Sequence, residues 1–177
     1  MSILRVGRTC KVAHQAVALY IKRAFNINRL LKRFFSEVIA FRTLQARTGT
    51  LISGSVALQF FDREFYPCSD LDLYVHMRHR REVGRWLMQH NYRFVPATHQ
   101  AVGFEEAATE ALSGLGENLY GMPGVAAILN FVREEEGTVA ASAGNTSSAL
   151  KVQLIVSRRT PMEVILGFHS SESRHVI

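Results

Sequence analysis

The alternation of helical and strand-like segments along this chain predicts an α/β or α+β domain, one sheet with helices packed on it. Three observations carry that expectation. Residues 12–35 place Val12, Ala16, Leu19, Ile27, Leu30, Leu31 and Phe34 near i, i+3, i+4 spacing with basic residues between them, a helical pattern. Val125–Val132 and Leu150–Val156 are two apolar strand candidates. Between these regions, residues 51–76 read as strand, Gly-Ser turn, helix, loop and strand. A chain of 177 residues is long enough to bury one real core, and 47% hydrophobic with 20% charged residues is ordinary for a globular protein.

Each element has a local reason. Asn26–Asn28 is expected to break the first helical stretch in two. A third helix covers Glu37–Ala46 and ends at Thr48-Gly49, because glycine suits a helix C-terminus. Leu51–Ser53 is a short strand leading into Gly54-Ser55, and Val56–Asp62 continues as a helix with Ala57, Leu58, Phe60 and Phe61 as packing residues. After the Tyr66-Pro67-Cys68-Ser69 loop comes a strand over Asp70–His76. Arg78–His90 reads as a helix with Val83, Trp86 and Leu87 on its apolar side, closed by Asn91-Tyr92, and Arg93–Val95 as a further strand. A helix is expected over Glu105–Leu112, a loop over Gly114–Gly121, a hairpin loop over Glu134–Ser148, and a last helix over Pro161–Phe168 with Pro161 in its first turn. No internal repeat is evident. The organisation expected is a basic N-terminal helical segment, 1–47, and a sheet domain, 48–177, within one unit.

The net charge of +6 is unevenly spread. Residues 1–36 hold Arg5, Arg8, Lys11, Lys22, Arg23, Arg29, Lys32 and Arg33 and no acid, while the remainder is slightly acidic. Such a segment suits a phosphate backbone, a membrane surface, a mitochondrial presequence or simply a solvated helix face. No apolar run approaches the ~18 residues of a membrane span. Cys10 and Cys68 fit no zinc or redox motif and read as free thiols. The expected location is intracellular, cytoplasmic or nuclear, with the mitochondrion as the alternative. The sequon at Asn145-Thr146-Ser147 reads as a chance match in a polar loop.

The most informative stretch is "TLISGSVALQFFDREFYPCSDLDLYVH", residues 50–76. On a strand, residues i and i+2 share a face, so Asp70 and Asp72 project together while Leu71, Leu73 and Val75 go to the other side. Two adjacent carboxylates repel each other and are costly to bury, unless a divalent cation such as Mg²⁺ or Mn²⁺ takes them as oxygen ligands. Gly54-Ser55 supplies the complementary half: a glycine at a strand-to-helix turn lets backbone approach an anion closely, at the positive end of a helix. A phosphate cradle beside a carboxylate metal site calls for a metal-bound triphosphate.

With those residues, "LISGSVAL…SDLDLYV" resembles the signature of the DNA polymerase β-like nucleotidyltransferase superfamily. More narrowly, "AFNINRLLKRFF", "LQARTGTLISGSVALQFFDR" and "KVQLIVSRRTPMEVILGFHS" resemble an uncharacterised fungal branch of it. The resemblance implies an α+β fold, a nucleotidyltransferase-like mixed β-sheet with helices packed on it. It implies that Gly54 and Ser55 bind an NTP and that Asp70 and Asp72 are catalytic metal ligands. The reaction implied is transfer of NMP from an NTP to an acceptor that the sequence does not identify. A third carboxylate, the usual partner in the two-metal site and often the base, is expected on a neighbouring strand. There, Leu150–Val156 carries Gln153, which brings no charge and cannot act as a general base. Two functions are therefore open: a metal-dependent nucleotidyltransferase, or an inactive module of that fold binding nucleotide, RNA or protein. A third reading is nucleic-acid binding led by the basic N-terminal segment.

Other signals are weaker. Glu163 sits on a presumed helix and Glu134–Glu136 reads as a solvated hairpin tip. His76 and His79 lack the partners of a zinc site. The Arg78–Arg81 run reads as a solvated helix start or a phosphate contact, and Arg158 and Arg159 as candidate triphosphate contacts.

Overall fold

The computed structural model describes residues 3–113, 122–134, 149–167 and 176. The expected loop at 114–121, most of the expected hairpin (135–148) with its sequon, and Phe168 lie outside the described residues. The fold is α+β. Five strands form one mixed sheet: β1 Leu51–Ser53, β2 Leu71–His76, β3 Arg93–Val95, β4 Val125–Arg133 and β5 Leu150–Ser157, in the spatial order β1-β2-β5-β4-β3. β2 and β5 run parallel, and the other pairs are antiparallel.

The N-terminal region forms α1 (Ile3–Val6), α2 (Lys11–Ala24) and α3 (Ile27–Leu31), followed by α4 (Val38–Thr48). The break between α2 and α3 falls where the asparagines predict it, because the Asn26 side chain caps α3 by accepting from the Arg29 N–H at 3.2 Å. α4 ends on Gly49 in the left-handed conformation, φ 64°. α5 (Ser55–Asp62) follows β1 directly, and α6 (Arg80–Gln89) follows β2 through a 3-10 turn, Met77–His79. The helix expected over Arg78–His90 is thus two pieces. α7 (Phe104–Ser113) and α8 (Pro161–Leu166) complete the set; Thr160 caps α8 through the Glu163 N–H, with Pro161 in its first turn.

The two faces of the sheet are dissimilar. One buries Leu71, Leu73, Val75, Val152, Leu154, Val156, Leu129 and Phe131 against apolar residues of α4, α6 and α7. That cluster also contains Leu31, Phe34, Phe35, Val38, Phe41 and Leu44, so the second half of the segment 1–47 is built into the core of the sheet. α1 and α2, by contrast, contain no buried residue. The opposite face has a smaller cluster at one end, where Tyr74, Val125 and Ile155 meet Val164 and Ile165 of α8. Beyond it the same face turns polar.

The basic run at 78–81 has a structural use that sequence reading missed. Arg80 is 5% exposed, and its guanidinium donates to the carbonyls of Met77 and Ala108, fastening α7 to the turn before α6. Its burial and the neighbouring Arg81 lower its pKa from the ordinary arginine value. Arg81 donates to Thr109 Oγ1 at 2.7 Å, while Arg78 is exposed. α6 and α7 also meet at Gly84, where an added Cβ would lie 2.2 Å from Phe104 Cζ. Arg80→Ala, which leaves the buried Ala108 carbonyl and the partly buried Met77 carbonyl without their charged donor, should cost about 2–4 kcal/mol. Arg78→Ala should stay within about 0.5 kcal/mol. Urea unfolding of both variants checks this, and equal effects would refute the assigned role of Arg80.

Candidate functional site

The polar part of the sheet's second face is laid out by register. Ser53 pairs with Asp72, Asp72 with Gln153, and Gln153 with Asn130, so four polar residues on four adjacent strands stand side by side. Laterally paired residues share a face, and i, i+2 alternation keeps Leu71, Leu73 and Val75 on the other one. Asp70 immediately precedes β2, which begins at Leu71 rather than at Asp70 as expected. Even so, Asp70 and Asp72 line one cleft of about 560 Å³ together with Ser55, Gln153 and the loop residues Tyr66–Ser69.

Gly54 closes this cleft from the side of β1. Its backbone, φ 76° and ψ −154°, lies in a region that glycine alone adopts readily. A Cβ built there would lie 2.1 Å from Asp72 Oδ2, so the bare backbone of Gly54 faces the Asp72 carboxylate. Sterics and backbone conformation both demand glycine. α5 starts at the next residue with no side-chain cap, which leaves its first-turn N–H groups without intrahelical acceptors at the edge of the cleft. The exposed Ser55 adds a hydroxyl.

The loop on the opposite rim is held from the N-terminal region. Arg33 donates to the Tyr66 carbonyl at 3.1 Å and also to the Pro67 carbonyl. Ser69 Oγ donates to the same Tyr66 carbonyl at 2.6 Å. A basic residue that the sequence offers as a surface charge thus positions one wall of the cleft.

Electrostatically the cleft is under-neutralised. Burial, and secondly the charge of Asp70, push the Asp72 carboxyl up from 3.8 to about 7. Tyr74, next along the same face, has its hydroxyl pushed up by burial and by Asp72. A cation of matching size would relieve both. Among the described residues no group of three or more His, Cys, Asp or Glu side chains is placed to hold a metal. Asp70 and Asp72 supply two carboxylates, and Gln153 stands beside Asp72 on the neighbouring strand. Mg²⁺ is commonly bound through one or two carboxylates plus substrate phosphates and water, so the donor set suits an ion that arrives with a phosphate ligand.

Several sequence candidates fall elsewhere. Arg158 and Arg159 follow the far end of β5 and do not line the cleft. The Arg158 guanidinium donates to the Val125 carbonyl at 3.3 Å, and Arg159 pairs with Glu163 at 3.5 Å. The parallel pairing of β2 and β5 puts the carboxylates near the start of one strand and these arginines beyond the end of the other. Glu163 and Glu134 are exposed and outside the cleft. His76 Nδ1 bonds the Arg159 carbonyl at 3.2 Å and His79 Nδ1 bonds Glu82 at 3.1 Å, each in a separate structural contact.

The raised Asp72 pKa has a defined consequence for stability without metal. Below about pH 4 the carboxyl is protonated in both the folded and the unfolded chain. From about 4 to 7 the unfolded chain ionises first, the folded state binds more protons, and stability falls as pH rises. Asp72→Asn removes this penalty, so the metal-free variant should exceed wild type at pH 8 by up to about 4 kcal/mol and match it near pH 4. Urea midpoints at the two pH values test it; no pH-dependent gain would contradict the assigned desolvation. Gly54→Ala should be destabilised at both pH values, since its Cβ meets the carboxylate whatever its charge.

Comparison of the chain with protein-family models, with curated proteins and with solved structures finds no match. The functional reading is therefore built on the cleft itself.

Proposed function

We propose that the protein is a metal-dependent nucleotidyltransferase-like protein that binds an NTP at the Gly54–Asp72 cleft and transfers NMP to an acceptor. The observation that carries this reading is the facing of Gly54 backbone and Asp72 Oδ2, with Ser55 and Asp70 in the same cleft. The crowded, largely buried carboxylate pair calls for a cation, the free N–H groups of the turn beside it call for an anion, and a metal-bound polyphosphate supplies both. In this reading Gly54 and Ser55 hold the triphosphate, and Asp70 and Asp72 hold Mg²⁺ or Mn²⁺. Such an ion would supply neutralisation of negative charge at the α-phosphate, where a bond to the acceptor oxygen replaces the bond to pyrophosphate and the acceptor's proton passes to solvent. Arg33 orders the Tyr66–Ser69 wall.

Gln153 supports a second reading. Beside Asp72 it offers an amide oxygen to a ligand or metal-bound water but cannot accept the acceptor's proton. A protein with this cleft binds the metal–nucleotide complex and transfers slowly or not at all.

Thermal unfolding with Mg²⁺ or Mn²⁺ and each NTP tests the shared part of both readings. Ligand at about 100 times its Kd adds about 2.7 kcal/mol, a rise of roughly 5–10 °C for a domain of this size. The part of the rise that needs Mg²⁺ or Mn²⁺ together with nucleotide should vanish in Asp72→Asn. Absence of any part of the rise that requires metal, nucleotide and Asp72 together would overturn the proposal. Radiolabelled NMP transfer by wild type and Gln153→Glu then separates the readings: transfer gained only in the variant assigns the natural protein to binding.

A further inference from the structure

A second cavity, about 570 Å³, lies between the end of α2, α3 and the C-terminal half of α5. Arg23, Arg29, Arg33 and Arg63 line it, with Glu64 as its acid. Elsewhere in the described structure Arg47, Arg81, Arg85 and Arg159 are each paired with a glutamate. Among the described residues Arg23, Arg29 and Arg63 have no such ion pair. The arginine cluster therefore keeps an excess positive charge, which a pocket wall of low polarity focuses.

The rest of the lining points to the kind of anion. Tyr20, Phe60 and Phe65 add aromatic surface; the Arg63 guanidinium lies 5.7 Å from the Tyr20 ring and that of Arg33 5.7 Å from Phe65, which is itself 70% exposed. Gln59 lines the same cavity. It is 5% exposed, and its Oε1 is buried with no hydrogen-bond partner. A buried amide oxygen without a donor is rare in folded proteins, and a turn of the side chain toward the cavity would let a ligand N–H satisfy it. Arginines for phosphate, rings for stacking and a lone acceptor for an N–H together match one ligand chemistry, and the volume suits a single small ligand of that kind.

We infer that this cavity is a metal-independent nucleoside-phosphate site, filled by a free nucleotide or by the terminal nucleotide of a strand. It is separate from the carboxylate cleft but shares α5 with it: Ser55 borders one cavity and Gln59 the other, four residues or about 6 Å of helix rise apart. Arg33 lines this cavity and grips the loop that walls the other. In combination with the proposed transfer, on which this last step alone rests, the occupant is the acceptor.

Binding in EDTA isolates the site, because the carboxylate cleft then has no cation. Fluorescence anisotropy of a labelled five-nucleotide single-stranded RNA, and calorimetry with AMP, CMP, GMP and UMP, should show binding to wild type and equal binding to Asp72→Asn. Arg29→Ala/Arg63→Ala should weaken it at least tenfold with an unchanged circular dichroism spectrum, and Gln59→Leu should weaken the nucleotides while sparing inorganic phosphate. Saturation by mononucleotide identifies the free ligand; binding of RNA alone identifies a strand end. No binding of either in EDTA, binding unaffected by the double arginine variant, or inorganic phosphate binding as tightly as nucleotide would overturn the inference. Because the thermal shift of the preceding section requires metal and Asp72, either result stands without the other.

Discussion

The parallel pairing of β2 with β5 is the constraint on which the rest of the site depends. It sets Asp72 beside Gln153, which β4 in turn sets beside Asn130, while the alternate residues Leu73, Leu154 and Leu129 close the main core on the opposite face. A slip of one residue would send the carboxylate into that core and the leucines into the cleft, so the hydrophobic effect itself holds the polar row in register. The row is fixed as firmly as the core because it is the other side of the same strands.

That arrangement has a cost. Asp72 is pressed against the Gly54 backbone on one side and the Gln153 strand on the other, largely shielded from water, with Asp70 as a near neighbour. Burial and like charge both act against the ionised form of that carboxylate. A neutral residue in that row would suit the isolated protein better. Under the proposed function a cation would offset this strain, its charge turning the same crowding into affinity.

The N-terminal region divides into two functions. From Leu31 onward it is core, with Phe34, Phe35 and Phe41 packed under the sheet, and Phe35 stacks on Phe41 at 4.3 Å between ring centres. Before that, α2 meets α5, through contacts such as Phe25, just past its end, with Phe60, 5.8 Å between ring centres, and Arg63 over Tyr20. The space left beneath α2 becomes the basic cavity. α5 and Arg33 join that cavity to the carboxylate cleft, which gives the positive segment a specific geometry in place of a diffuse charge.

The sequence by itself determined the elements and which side each strand residue takes. Alternation in Leu71–Val75, the asparagine break at 26–28, the Gly49 stop and the Pro161 start are local rules, read from neighbours within a turn or a pleat, and the α+β class follows from their order. Likewise the pairing of Gly54-Ser55 with Asp70 and Asp72 was legible as a candidate, because strand–turn–helix–loop–strand returns the chain to the same edge. Only the tertiary structure decided what depends on distant partners. Arg80 is a buried clip because Ala108, 28 residues away, supplies its acceptor, and Arg33 is a wall fastener because Tyr66, 33 residues away, supplies another. Arg158 and Arg159 lie outside the cleft because β5 runs parallel to β2, and the unsatisfied Gln59 exists only where α2 and α3 meet α5. Periodicity reports which face a side chain occupies; what stands opposite that face is set by sheet order and helix packing, which one segment of chain does not encode.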